Sequence, residues 1–349
     1  MPPGTMAWHA SKSACLAGIL ALPVWCQDAA PAIPAEKGLA LRRMDFSGPG
    51  MGTLFRVSLY ASNNDRAGVE EVVDAAFLRL AELNAVFSDY EPNSEINRAA
   101  AAAPEPWVAS PDLLDLTAQA LRLAEMTGGA FDPTCGQISR LWRSSRQRGK
   151  LSPPTRRQTA FETVGWQSLR LDQQLRTLTL AKPDTLLDFG GIAKGYAADQ
   201  MLALLRAKGF PIAVVQAGGD TAAGDAPPHS EGWPVQIESG LEKGERITLH
   251  LANRSISTSG DLHQHIELDG VRYSHVLDPA SGLGLTRRIA CSVVADDTTT
   301  SDALATAFCV LGPERGRTIA RQAGVTARWV WLDADGALHQ AWVFAKTAR

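Results

Sequence analysis

The sequence predicts an α+β fold of largely antiparallel sheets packed with helices, and three observations carry that reading. Apolar residues recur at helical spacing over residues 66–87 and 112–126. Two strand pairs meet at hairpin signals, across Asp269-Gly270 and Asp333-Ala334-Asp335-Gly336. Helices and strands follow one another irregularly, without the repeated strand–helix–strand order of a doubly wound parallel sheet.

Taken in order, residues 51–60 alternate as a strand, preceded by the turn former Gly48-Pro49-Gly50. Val69, Val72, Val73, Ala76, Phe77, Leu80, Leu83 and Val86 then make 66–87 an amphipathic helix. A short helix over 93–100 and a loop over 101–106 lead to a helix over 112–126 that Gly128-Gly129 stops. Residues 136–142 predict a helical turn, 143–157 a solvated basic loop and 161–181 a hairpin. Thr185-Leu186-Leu187 reads as a buried strand, 194–205 as a helix and 211–217 as a second buried strand. A Pro/Gly/Asp loop over 221–232 precedes strands at 234–238, 246–251, 263–268, 271–277 and 289–295. Helices at 299–311 and 313–323 and a hairpin of 326–332 with 338–344 complete the chain.

Composition narrows the function. The 34 basic and 37 acidic residues leave a formal charge of −3, with no basic block, which argues against nucleic acid as the main partner. A small-molecule substrate is expected instead. Residues 1–35 combine a weakly basic start, an apolar run over 14–25 and an Ala/Pro-rich tail, the pattern of a signal peptide and flexible spacer. A folded domain over 40–349 follows. The alternative for the leader is a lipid anchor at Cys26. Five cysteines without a C-x-x-C pair point to neither zinc nor a disulfide framework.

The chemistry centres on Leu187-Asp188-Phe189-Gly190-Gly191-Ile192-Ala193-Lys194-Gly195-Tyr196. An apolar run stops at a carboxylate, crosses a glycine pair and enters a helix whose first N–H groups can face an anion beside Lys194. An ordinary strand-to-helix turn is the other reading of these residues. Asp302 and Thr306, four apart on a helix, present two oxygens on one side, a half-site for a hard cation such as Mg²⁺. A helix-start aspartate and a threonine bonded to the preceding turn would look the same. His275, just before Asp278-Pro279, could serve as a base or be a core histidine. Asp132, after a helix stop, offers a ligand contact or an Asp-Pro turn. His263 and His265 share one side of a strand but lack a third ligand nearby, so no transition-metal site is drawn from them.

Eight segments occur together in one order: Met51-Gly52-Thr53; Phe87-Ser88-Asp89-Tyr90 with Ser94-Glu95-Ile96-Asn97; Gly129-Ala130-Phe131-Asp132-Pro133-Thr134; the stretch from Asp188 to Tyr196; Gly218-Gly219-Asp220; Thr258-Ser259-Gly260-Asp261; the stretch from Tyr273 to Pro279; and Asp302-Ala303-Leu304-Ala305-Thr306. In this the chain resembles the ApbE family of FAD:protein FMN transferases, over roughly residues 50–312. The resemblance implies a T-fold-like architecture, periplasmic location, FAD as substrate, and Mg²⁺. It implies FMN transfer to a threonine of an acceptor flavoprotein, with release of AMP. Association with the inner membrane would then come through the acceptor or through the lipid that the leader allows on Cys26. By the same resemblance Met51, Tyr90, Ala130, Phe131, Asp132, Asp188, Lys194 and Val276 contact FAD. Gly191, through its carbonyl, with Asp302 and Thr306 would hold the metal, and His275 would assist catalysis. An Mg²⁺-dependent FAD pyrophosphatase and a non-catalytic flavin-binding protein are the alternatives that these residues leave.

Overall fold

The structure, a computed structural model, describes residues 27–28, 41–238, 240, 246–261 and 265–345. The expected leader (apart from 27–28), Cys26 and His263 lie outside the described residues. The elements run Gln27–Asp28 (β1), Leu41–Gly50 (β2), Thr53–Ser62 (β3), Arg66–Phe87 (α1), Glu95–Ala101 (α2), Trp107–Val108 (β4), Pro111–Thr127 (α3), Gly136–Arg148 (α4) and Pro154–Glu162 (α5). Leu169–Asp172 (β5), Thr177–Leu180 (β6), Ala193–Ala207 (α6), Ala213–Ala217 (β7), Asp220–Ala223 (β8), Trp233–Glu238 (β9), Arg246–Leu251 (β10) and Arg254–Gly260 (β11) follow. The remainder is His265–Leu268 (β12), Val271–Ser274 (β13), Leu277–Asp278 (β14), Leu283–Gly284 (β15), Ile289–Ala295 (β16), Thr298–Ala323 (α7), Thr326–Leu332 (β17) and Leu338–Val343 (β18). Helix α7 breaks at Gly312, where φ is 69°, so it corresponds to the two helices expected from sequence.

One sheet, in the order β1-β2-β3-β7-β8-β11-β16-β17-β18, forms the spine, and its pairs are antiparallel. Its strands alternate in the way a two-faced sheet requires. Val215 and Ala222 turn to the main core with α1, α6 and α7, whereas Val214, Ala223 and Ile256 turn to the hairpin β9–β10. On α1 the stripe Val69, Val72, Val73, Ala76, Leu80, Leu83 and Phe87 is buried, which fixes the helix on the sheet.

Helices α6 and α7 cap each other. Asp199 of α6 accepts from Thr298 N at 2.9 Å, Thr299 N at 2.8 Å and Thr299 Oγ1 at 2.6 Å, satisfying the start of α7. Asp302 of α7 in turn accepts from Gly195 N of α6 at 3.2 Å. The helices approach so closely that a Cβ on Gly195 would lie 2.3 Å from the Thr298 carbonyl oxygen. Gly195→Ala is therefore expected to cost about 1–3 kcal/mol of stability by overpacking. Thermal unfolding checks this, and an unchanged midpoint would refute the close approach.

Several elements differ from the sequence reading. Gly48-Pro49-Gly50 is the end of strand β2 and not a turn; the turn is Met51-Gly52, with φ 47° and 73° as a tight two-residue hairpin turn requires. Residues 143–157 are largely helical, because Ile138, Trp142 and Ser145 of α4 and Ala160 of α5 bury one side of a basic stretch. Thr185-Leu186-Leu187 makes a single parallel bridge, Leu186 to Cys135, instead of a sheet strand. The expected loop over 221–232 begins as the buried strand β8, and β11 is an additional central strand.

Candidate active site

At one end of the spine sheet, the β2–β3 turn, the β7–β8 turn, the end of β11 and the starts of α6 and α7 surround a cleft of about 2810 Å³. All twelve residues proposed from sequence line it. Met51 stands at the hairpin tip in a left-handed conformation that side-chain-bearing residues seldom adopt. Tyr90 follows α1 at 73% exposure, with the Arg143 guanidinium 4.5 Å from its ring centroid and ion-paired to Asp89. Ala130 and Phe131 are buried cleft wall in the turn after α3.

The central corner is Asp188 to Tyr196, backed by Phe87, whose ring meets Phe189 and Tyr196 edge-on at 5.7 Å each. Asp188 Oδ1 accepts from Gly190 N at 2.8 Å and Asp188 N donates to Pro133 O at 2.9 Å, which joins the corner to the Asp132 turn. The expected open N–H groups at the helix start are largely taken. Ala193 N donates to Phe189 O, and Gly195 N to Asp302 Oδ2, so the anion already at this helix start is the protein's own carboxylate. Gly191 lies against Thr306, since a Cβ there would stand 3.4 Å from Thr306 Oγ1.

Lys194 reaches from this corner to two carboxylates. Its Nζ lies 2.9 Å from Asp220 Oδ2 and 3.2 Å from Asp302 Oδ2. Burial works against its charge, but Asp220 and Asp302 more than offset this and raise its pKa, so the ammonium persists. Burial first, and then the Asp220 charge, push the Asp302 carboxyl up to about 7 against the opposing pull of Lys194. Two carboxylates with one ammonium leave a local excess of negative charge.

His275 sits in the bend between β13 and β14, not within a strand. The backbone on either side of it is fixed: Ser274 N donates to Leu285 O at 2.7 Å and Leu285 N to Val276 O at 2.9 Å. Val276 is buried beside it. His265 is exposed on β12 and is not among the residues that line the cleft.

Asp132 lines the cleft while serving the scaffold. Its Oδ1 accepts from Thr134 N at 2.8 Å and Thr134 Oγ1 at 2.6 Å, and its Oδ2 from Trp166 N at 3.1 Å. Burial raises its pKa in spite of these bonds. Asp132→Ala would leave those donors unsatisfied, at about 1–3 kcal/mol each. A lowered unfolding midpoint and weaker flavin binding together are the expected result, and fluorescence-monitored unfolding with flavin titration checks both.

Sequence reasoning missed two contributors. Asp220 shows in the sequence only within Gly218-Gly219-Asp220, and that motif is its one local signal. Arg143 lies in the stretch expected as a solvated loop; the helical spacing of Ile138, Trp142 and Ser145 is the sign that it stands on a packed helix. Among the described residues no group of three or more His, Cys, Asp or Glu could hold a metal ion. Any cation here would rely on fewer than three such side chains, with hydroxyl and carbonyl oxygens beside them.

A sequence profile described as the ApbE family matches residues 51–329. The FAD:protein FMN transferase of Treponema pallidum (strain Nichols) is 32% identical over 301 residues, covering 81% of this chain and 83% of that protein. The protein of the same name from Klebsiella pneumoniae (strain 342) is 28% identical over 332 residues, 93% of each chain. The apo form of flavinyl transferase ApbE from Pseudomonas stutzeri matches with TM-score 0.78 and 30% identity, over 87% of this chain and 96% of that one. Flavin transferase ApbE from Vibrio cholerae matches with TM-score 0.75 and 25% identity, over 86% and 97%. The antiparallel α+β architecture expected from the order of helices and hairpins is the one these structures share with the present chain. With the profile spanning most of its length, this chain belongs to the ApbE family.

Proposed function

We propose that this protein transfers FMN from FAD to a threonine hydroxyl of an acceptor flavoprotein, with Mg²⁺ bound at the corner and AMP as the second product. Its family membership and named relatives make it an enzyme of the transferase class. The observation that carries the finer reading is the convergence of Asp302, Thr306, Gly191, Lys194 and His275 on one cleft. A volume of about 2810 Å³ exceeds the roughly 300–1,000 Å³ of pockets for drug-sized ligands, which supports a substrate as large as a dinucleotide.

The corner residues fit a hard cation. Asp302 and its neighbour Asp220 form a buried, charge-rich pair, and the Thr306 hydroxyl and Gly191 backbone meet beside Asp302's helix face. Asp302, Thr306 and the Gly191 carbonyl would hold the ion. When bound, it neutralises charge on the pyrophosphate as that charge shifts to the leaving group.

The protein groups do the rest. Lys194, held charged by Asp220 and Asp302, faces the pyrophosphate from the same corner. Met51, Tyr90, Ala130, Phe131 and Val276 hold the ring systems by stacking and dispersion. Asp188 positions the flavin nucleotide beside the glycine pair, and Asp132 keeps its wall in shape. His275 accepts the threonine proton as that oxygen bonds to the FMN-side phosphorus. The bond from this phosphorus to the AMP-side oxygen breaks, and AMP departs with the electron pair.

The leader supports export to the periplasm, with the acceptor or a lipidated Cys26 bringing the protein to the inner membrane. Among the described residues no helix is long and apolar enough to cross a membrane. AMP release from FAD and Mg²⁺, with and without an acceptor domain, separates the activities. Release that requires the acceptor supports transfer; equally rapid release without it supports a pyrophosphatase, and none in either case a flavin-binding protein.

A further inference from the structure

The arm that carries His275 is gripped on both faces of β13. On one face Tyr273 packs edge-on against Trp142, with ring centroids 5.3 Å apart. The other grip is ionic. Arg272 Nε and Nη2 donate to Asp261 Oδ2 at 3.2 and 3.0 Å, and Nη2 also reaches Asp261 O at 3.4 Å. Arg288 Nε stands 3.8 Å from the same carboxylate oxygen.

Asp261 is 2% exposed and does not line the cleft. It directly follows Thr258, Ser259 and Gly260, which do, and Ser259 Oγ lies 3.4 Å from Thr306 Oγ1. Its own N–H donates to Ile289 O at 3.2 Å, at the entry to β16. One buried carboxylate thus joins the cleft-lining end of β11, the β16 entry and the His275 arm. Removing one partner of such a buried ionic contact is costly, because it leaves the other charges uncompensated.

We propose that Asp261 is a positioning residue for His275. Through Arg272 its carboxylate sets the position of the imidazole relative to the cleft-lining end of β11 and hence its reach to the hydroxyl attacking at the Asp302–Thr306 corner. The inference rests on His275 acting as the base. A base works only within hydrogen-bond reach, and a misplacement of about 1 Å costs on the order of 100-fold in rate.

The test uses Asp261→Asn, which keeps the shape and removes the charge, together with Arg272→Met and Arg272→Lys. The expected result is a KM for FAD within about threefold of the starting protein and a kcat for transfer lower by about 10–100-fold. Arg272→Lys is expected to recover part of what Arg272→Met loses. In a His275→Ala background Asp261→Asn should add no further loss, because residues that act as one unit are not additive. A general loosening of the fold would instead slow both backgrounds alike, and that outcome overturns the proposal. If Asp261→Asn lowers the unfolding midpoint too far to assay, Arg272→Met carries the same comparison. Full transfer by His275→Ala would remove the reading on which the inference rests. Loss in His275→Ala with normal kcat in both Asp261→Asn and Arg272→Met would overturn the inference alone.

Discussion

Replacing His275 by alanine is expected to leave FAD affinity unchanged and to slow FMN transfer by about 10²–10⁴-fold, the usual contribution of a positioned general base. The reasoning is geometric. His275 lines the cleft from a bend whose flanks, Ser274 and Val276, are tied to Leu285. The ring-holding role proposed above falls to other side chains, those of Met51, Tyr90, Ala130, Phe131 and Val276, which line the same cleft. Losing the imidazole therefore removes a proton acceptor and leaves the flavin contacts in place. Flavin fluorescence titration and acceptor flavinylation assays measure the two quantities separately. Transfer at the starting rate would remove histidine from the mechanism.

The second large effect concerns the corner. Asp302→Asn is expected to lower transfer by about 10²–10³-fold, the scale of losing one electrostatic element aimed at developing charge. Asparagine retains an oxygen for the Gly195 N–H, so the α6–α7 cap survives and the loss reports on charge. In the same assay a chelator should abolish transfer by the starting protein, and added Mg²⁺ should restore it. In Asp302→Asn, Mg²⁺ at the concentration that saturates the starting protein should not. Full activity in excess chelator would exclude the metal from the reaction.

Much of this site was legible because its parts are local. The helix carrying Asp302 and Thr306, the glycine pair after Asp188 and the hairpin before His275 each show in a few consecutive residues. What joins them was not legible, since Lys194 meets Asp220 and Asp302 across 26 and 108 positions of sequence. The missing strand β11 has a definite physical cause. Its inward positions Ser255 and Ser257 bond Thr298 Oγ1 and Ser301 Oγ of α7, at 2.9 and 2.8 Å. Small hydroxyls that let a helix approach closely replace the apolar alternation by which strands are recognised. Strand β2 was hidden by Pro49-Gly50, which sits at a strand end next to a hairpin tip and not within a turn. The basic stretch after Trp142 looked solvated because charge outweighed the sparse buried positions Ser145 and Ala160.

Asp132 shows the limit of reading roles from matched positions. Its side chain is in the cleft wall, yet its oxygens are engaged by Thr134 and Trp166, so the part proposed for it in flavin binding would run through the shape of the turn. Asp220 is the converse case, a buried carboxylate that shares the charge of Lys194 with Asp302.

The measurement that tests the central claim most directly is the intact mass of a threonine-containing acceptor domain after incubation with this protein, FAD and Mg²⁺. The predicted result is a mass increase equal to one covalently attached FMN, abolished when the acceptor threonine is replaced by alanine. An acceptor of unchanged mass alongside stoichiometric release of free FMN and AMP would contradict it.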